Sequence, residues 1–522
     1  MTTVTSAWRS KSFRRVWTAG AVSGLGAEIG ELAVPVLALV TLGASATELS
    51  LVRAALLVPY LLLTLWLGVV VDRRRRRPLL VIADLGRGIL LAVACALALL
   101  GWLTVPLLIA AAAALGSLTV LYMLAEFSFV PLVVEEQQLI DANARITAAQ
   151  SAIGVAGAGA GGALVQVLTA PFALIVNAVG YLASGVLIAS VRVEEPVPGR
   201  GARASRGEGG HREGEEGRQR TARRRPPRGE GRAFSRNSAR GEKRASAVRE
   251  GRAMAAGTAG GAAGGAGGAV GQRASAVREA RAGMAVIARH RVLRALVGEA
   301  TLWNLGNEVF MLALSLLVLR TLGLGPGILG LVLMAGGAGA FIGAALSRRL
   351  TARFGYGRSL IGSMLAGNAA PLVAIAGTCA LVAAAGGVGA VFGGGSAADA
   401  VARALAGPGL TVVVVVLTLG MLVSGAGCGV ANSQAVSLRQ LAVTPDLRGR
   451  ANAAYRLVSW GALSIGALAG GGLVVLAGEW VAALLGTALM AVATLPVLLS
   501  PVRRMRTIEE VRPARAVVSA AG

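Results

Sequence analysis

Lysine is nearly missing from this chain of 522 residues. Lys11 and Lys243 are the only two, so arginine carries almost all of a net charge of +25. Cysteine is equally sparse. Cys95, Cys379 and Cys428 are scattered through apolar stretches, which excludes a disulfide framework and a thiolate metal site. The two histidines, His211 and His290, lie outside the apolar runs and share no ligand-like spacing. No Gly-x-x-x-x-Gly-Lys-Ser/Thr occurs, so the chain has no ATP-binding loop of the usual kind. Gly157-Ala-Gly-Ala-Gly161 is not a substitute: no strand precedes it and it sits inside an apolar run, where small residues let helices approach closely. No nucleophile–base pair or metal constellation is visible, so the chain is expected not to be an enzyme. No cleavable leader is evident either, because the run after Arg9, Lys11, Arg14 and Arg15 is a full span without a small-residue cleavage site.

What the chain does have is apolar length. Hydrophobic residues make up 55% and the mean hydropathy is +0.68. A helix needs roughly 20 apolar residues to cross the hydrocarbon core. Six such runs fall near 16–42, 49–71, 79–100, 104–131, 143–168 and 171–191, and six more near 292–320, 327–347, 359–385, 409–437, 453–477 and 480–500. Aromatics are only 4%, with Trp66, Trp102, Trp303, Trp460 and Trp480 expected mostly as interfacial anchors near span ends. The charge is confined to alternate loops. Asp72 is followed by Arg73 through Arg77 in a short hairpin, and Arg348 to Arg358, Arg439 to Arg450 and Arg503 to Arg515 are similar. Placing these on the cytoplasmic side puts both termini inside and satisfies every loop. Between 193 and 285 the chain turns to Arg, Glu, Gly and Ala, too poor in large apolar residues to order itself, with an amphipathic surface helix expected near 272–290. Nucleic acid is not the expected partner of this charge; anionic membrane lipid is.

The domains expected are therefore a six-helix bundle over 1–192, a basic and mostly disordered cytoplasmic linker over 193–285, a second bundle over 286–505 and a tail over 506–522. The bundles repeat one another. Leu25-Gly26-Ala27-Glu28 in the first span matches Leu305-Gly306-Asn307-Glu308 in the seventh. Ala142-Asn143-Ala144 matches Ala451-Asn452-Ala453 at the start of the fifth and eleventh spans, and each is followed by a glycine pair, Gly161-Gly162 and Gly470-Gly471. The fold class is an all-α integral membrane protein, with 12 transmembrane helices in two pseudo-symmetric six-helix bundles.

These residues resemble the major facilitator superfamily. Its hairpin between the second and third spans reads Gly-x-x-x-Asp-Arg-x-Gly-Arg-Arg. Here Gly68, Asp72, Arg73, Arg76 and Arg77 fit, with Arg75 in place of the second Gly. Asp84-Leu-Gly-Arg87 and Pro131-Leu-Val-x-x-x-Gln-Leu-x-x-Ala-Asn143 resemble a branch of bacterial siderophore and macrolide exporters, which is also similar to lysolipid carriers. Gly154, Gly157, Gly161 and Gly162 resemble a glycine-rich antiporter motif, with Ala158 where that motif usually has Pro. Apolar spans poor in aromatics with one or two carboxylates suggest a lipophilic, often cationic, substrate, and the Gly, Ala and Arg usage suggests a bacterial plasma membrane, while the resemblance implies a multi-pass exporter working by alternating access. It implies proton coupling with no cofactor, and we expect a monomer. An importer or facilitator, a lysolipid-type carrier, and a membrane scaffold whose linker docks partners are the alternatives.

Ionisable groups inside spans are costly and so are the candidates for function. Glu28 and Glu31 lie three apart on one helix face and cannot easily both stay ionised in a low-dielectric cavity, which suits proton exchange or a cationic substrate. Glu308 is the repeat equivalent, and the resemblance places its span against the central cavity. The structural alternative pairs these groups with Asn304, Asn307 or, for Glu31, Arg53. Asp84 and Arg87 share a face and are expected to pair with the basic hairpin, and Glu126 with Arg87 or Arg145. Asp72 is expected to gate rather than bind substrate, and the resemblance implies that the hairpin latches onto the eleventh span in the outward-facing state, where Arg456 could answer Asp72.

Overall fold

The computed structural model describes residues 6–135, 138–193, 195, 281, 283–386, 408–443 and 447–511. Most of the expected linker and tail lie outside these residues. Within the expected surface helix, the described turn 283–289 is helical and buries Ile287.

Long helices make up nearly all of the described chain, and no strand occurs among the described residues. The first half holds α1 (Lys11–Val36), α2 (Ala46–Arg73), α3 (Arg76–Leu99), α4 (Val105–Val133), α5 (Leu139–Leu168) and α6 (Ala170–Ala189). The second half holds α7 (Arg291–Leu316), α8 (Pro326–Phe354), α9 (Tyr356–Gly386), α10 (Pro408–Leu441) and α11 (Arg448–Val492). Eleven of the described helices are long and apolar enough to cross a membrane. The last contains two crossings, because Gly478 sits at φ +81° and breaks α11 into two limbs. The expected spans coincide with these helices, several of which continue past the apolar run. Arg348, Arg349 and Arg353 extend α8, since arginine stems can lie along apolar surface while their heads reach water.

The two halves repeat at the level of single atoms. α1 and α7 each end in a π-helical turn, Leu37–Thr41 and Leu317–Thr321. Each turn is closed by a glycine in the left-handed region, Gly43 at φ +63° and Gly323 at φ +62°, where a side chain would be strained. A side-chain carbon on Gly161 of α5 would stand 3.1 Å from the Ile29 Cα, and one on Gly470 of α11 would stand 3.1 Å from the Val309 Cα. The repeat read from the sequence is thus a repeat of helix crossings. The helix that follows α1 opens with a capping box: the Glu48 amide donates to the Ser45 hydroxyl, and the Glu48 carboxylate accepts from the Ser45 amide at 2.7 Å.

Core packing differs between the two ends of the molecule. Away from the arginine-rich loops, one continuous cluster joins both halves through Leu32, Leu37, Leu49, Leu316, Leu329 and Val474. At the arginine-rich end there are two separate clusters. One contains Phe13, Leu80, Phe129 and Ile188, the other Leu293, Tyr356, Leu438 and Val502. The halves are joined at one end and parted at the other.

Candidate interbundle transport site

Two close crossings join the halves at the end away from the arginines. α5 meets α8 where Gly162 faces Gly330, so closely that a side-chain carbon on Gly162 would stand 2.7 Å from the Gly330 Cα. α11 meets α2 in the equivalent place, where Gly471 lies against Ser50. Nearby loops add polar ties. The Gly327 amide donates to the Gln166 side chain at 3.1 Å, and the Arg320 guanidinium donates to the Ala44 carbonyl. Of the glycine motif, Gly157, Gly161 and Gly162 face other helices directly. A side chain on Gly154 would meet open space, although its carbonyl is covered by Gly337.

Arg53 lies just beneath this joint. It projects from α2, its Nη2 donates to Glu31 of α1 at 3.0 Å, and its Nε donates to Glu308 of α7 at 3.1 Å. The Arg53 side chain is 14% exposed, Glu308 7% and Glu31 51%. One arginine therefore answers two of the three carboxylates singled out in the sequence, one in each half. Glu28 packs its stem against Gly157, and neither Glu28 nor Asn307 makes a hydrogen bond or ion pair with a described residue. Asn304 donates instead to the Ser459 carbonyl at 2.6 Å. The stem of Glu308 is covered by Gly466, as that of Glu28 is by Gly157, so the two glutamates occupy repeat-equivalent positions. Glu31 and Arg53 have no such equivalents, because Met311 and Leu333 stand in their places.

At the arginine-rich end a cavity of about 720 Å³ opens between the halves. Its first-half wall is Tyr60, Thr64, Met123, Leu124 and Phe127. Its second-half wall includes Arg439, Tyr455, Arg456 and Trp460. Tyr60 and Trp460 meet edge to face across it, with ring centroids 5.5 Å apart. A second, smaller cavity of about 240 Å³ runs inside the first half and is lined by Tyr60, Asn177, Tyr181, Glu31 and Arg53. Tyr60 belongs to both walls, so it stands between the large cavity and the ion-pair cluster.

The hairpin residues lie apart from this site. Arg73 ends α2 and Arg76 begins α3. The backbone amides of Arg76 and Arg77 donate to Glu195, at 2.5 and 2.8 Å, and the Arg77 guanidinium reaches the Ala189 carbonyl at the end of α6. A side chain on Gly68 would meet open space, and the side chain of Asp72 lies outside the described residues. Asp84 and Arg87 pair with each other rather than with the hairpin. Arg87 is sandwiched between Tyr122 and Tyr181, 4.3 and 4.2 Å from the ring centroids, and Ser184 donates to Asp84 at 2.6 Å. Burial explains the difference: both groups are sealed in the first bundle, and only each other and these neighbours can satisfy them. Glu126 feels the charge of Arg87, whereas Arg145 pairs with Asp141 at 3.0 Å. Trp66 and Trp102 are exposed, as interfacial anchors would be, but Trp480 is buried and Trp460 lines the cavity.

Sequence reasoning missed Glu299. It lies on α7, within electrostatic reach of Asn368 and Arg439. The signal was available, since Glu299 interrupts an apolar run just as Glu28 does. Arg439 was read only as the start of a loop. Among the described residues no cluster of His, Cys, Asp and Glu could hold a metal ion.

The profile of the Major Facilitator Superfamily matches residues 16–395. No curated protein matches the sequence. Among solved structures, a bacterial homologue of the iron transporter ferroportin in an inward-facing state is 14% identical with a TM-score of 0.58, over 94% of this chain and 98% of that one. The inward open conformation of the xylose transporter XylE from E. coli is 14% identical with a TM-score of 0.55, over 96% and 98%. The nucleoside transporter NupG is 11% identical with a TM-score of 0.53, over 94% and 98%. Likenesses at this identity establish the fold alone.

Proposed function

The chain belongs to the Major Facilitator Superfamily, and from that premise we propose that it is a proton-coupled exporter of amphipathic small molecules working by alternating access. The observation that carries this reading is the asymmetry of the halves. They are clasped at one end by Arg53 with Glu31 and Glu308, and parted at the other around the large cavity. A substrate entering from the arginine-rich side would lie between Tyr60, Phe127, Tyr455 and Trp460. Release on the far side needs the Arg53 clasp and the two glycine crossings to part.

The acidic members of the clasp give a route for coupling. A proton on Glu308 or Glu31 removes the charge that holds Arg53, so protonation weakens the joint on the side where protons enter. Tyr60 and the smaller cavity connect the clasp with the substrate chamber. Exchange of a proton for substrate then follows from competition for one set of groups. The glycine motif of α5 and the motifs around Asp84 and Asn143 support the outward direction. The arginine-rich loops support a plasma membrane location with both termini in the cytoplasm, and the Gly, Ala and Arg usage supports a bacterial source.

The test is proton flux in proteoliposomes under a pH gradient, challenged with lipophilic drugs and siderophores, with wild type beside Glu28→Gln, Glu31→Gln and Glu308→Gln. Substrate-triggered proton release that disappears in Glu308→Gln or Glu31→Gln is expected. Substrate movement with no proton movement in wild type would replace antiport by facilitated diffusion.

A further inference from the structure

We infer that the species carried by this cavity is an amphipathic organic anion, with a carboxylate, sulfonate or phosphate head on an aromatic or aliphatic body; the inference rests on the cavity being the substrate site. The charged groups lining the chamber are Arg439 and Arg456, and no carboxylate is among its lining residues. Neither arginine forms an ion pair with a described carboxylate. Arg439 lies 3.8 Å from the Tyr455 ring centroid, and its Nε is buried with no hydrogen-bond partner. Arg456 lies 5.2 Å from the Trp460 ring centroid. Glu299 acts on Arg439 through its field but reaches neither arginine at ion-pair distance.

The charge of the chamber lies on one half only, although both walls carry apolar residues. Both arginines stand on the second half, on α10 and α11, while Tyr60, Thr64, Met123, Leu124 and Phe127 of the first half carry no charge. Such a chamber orients its ligand, with an anionic head on the guanidinium groups and an apolar body against the opposite wall. A lipophilic cation meets two like charges there and no carboxylate on the chamber wall. The division also links binding to movement. Closing the chamber empty would press Phe127 and its neighbours onto two unpaired guanidinium groups and strip their water, which is costly. An anion supplies the missing counter-charge, so the loaded chamber closes more readily than the empty one. The membrane potential favours the same traffic: with the interior negative, 100 mV acting on one elementary charge sustains roughly a 50-fold concentration ratio of an exported monovalent anion.

The experiment uses the full chain in lipid nanodiscs and three probes of one body and different charge: naphthalene-2-sulfonate, 2-naphthylmethanol and trimethyl(2-naphthylmethyl)ammonium. Binding is read from tryptophan fluorescence, with Trp460→Phe assigning the signal to the chamber. The sulfonate is expected to bind at least 10-fold more tightly than the cation. Arg439→Gln with Arg456→Gln should remove that preference and leave the neutral probe unchanged, whereas Arg439→Lys should keep most of it. The neutral probe also reports that the variants are folded. Equal or tighter binding of the cation to wild type, or an unchanged sulfonate affinity in the double variant, overturns the anion assignment and leaves the chamber as the substrate site. Failure of all three probes to perturb Trp460 overturns both.

Discussion

Arg53 of α2 holds Glu308 of α7 across the boundary between the two halves, Nε to Oε2 at 3.1 Å and Nη2 to Oε1 at 3.4 Å. The contact joins residues 255 positions apart in the chain. The same guanidinium also binds Glu31 within its own half. The arginine is thus anchored in the first half and reaches into the second, which makes it a fastener and not only a neutralised buried charge.

Removing the fastener should open the far side. Arg53→Met leaves Glu308 buried without its partner, a change that costs about 3–5 kcal/mol in comparable buried pairs. The half-exposed Glu31 adds little, because solvent screens it. The expected result is faster alkylation, from the far side, of a cysteine placed at Val165, which is buried in the closed joint, together with lower thermal stability. Arg53→Met with Glu308→Met should recover most of the stability without restoring coupled transport. Unchanged alkylation in the single variant would remove the clasp from the gate.

The glycine crossings yield a prediction with an internal control. Gly162→Ala places a carbon 2.7 Å from the Gly330 Cα, with only backbone to move aside. It should weaken the closed joint and raise the same cysteine accessibility. Gly154→Ala meets nothing within 4 Å, so it should leave transport intact and stabilise α5 by up to about 1 kcal/mol through helix propensity. A thermal melt of each variant beside its transport rate separates the two, and a loss of transport in Gly154→Ala would contradict the packing account.

Much of this architecture was legible in the chain because its signals are local. Long apolar runs, arginines in alternate loops, and the Glu28 and Glu308 tetrapeptides need no knowledge of packing. The Glu31 to Arg53 pair was also accessible, since adjacent helices joined by a short loop bring their ends together. The reach of Arg53 to Glu308 was not, because it depends on how two bundles dock. The chamber was hidden for the same reason: Arg439 and Arg456 resemble any other arginine near a span end until packing turns α10 and α11 toward one chamber. Trp480 looked like an anchor by position, and only the packing of the second limb of α11 buries it.

His290 offers a test outside the membrane spans. It caps α7, with Nδ1 accepting from the Leu293 amide at 3.4 Å, and burial pushes its imidazole below the usual value. The folded protein therefore holds His290 neutral under conditions where the unfolded chain protonates it. The cap should be fully present above the ordinary histidine value of about 6.5 and weaken as pH falls below it toward the lowered folded value. Unfolding followed from about pH 7.5 to about pH 5 should show an acid-sensitive component of up to about 1 kcal/mol, and His290→Asn should abolish it while keeping the cap. An identical pH slope in the variant would assign the sensitivity elsewhere.

The buried Asp84 and Arg87 pair makes the sharpest energetic claim. Asp84 is 0% exposed and Arg87 3%, and the guanidinium lies between the Tyr122 and Tyr181 rings. Asp84→Ala leaves a buried cation held only by aromatic faces. Arg87→Ala leaves a buried carboxylate with Ser184 as its remaining donor. Each should cost about 3–5 kcal/mol. The double variant should cost less than the sum by up to about 3 kcal/mol, because the second change removes a group the first had already stranded. Arg87→Lys should not rescue the arginine, since a compact ammonium cannot stack between two rings while donating to Asp84. Chemical unfolding of the four proteins in matched lipid–detergent micelles measures the cycle. Strict additivity would mean that the two groups are satisfied independently, and the pair would then have no part in holding α3 against α4 and α6.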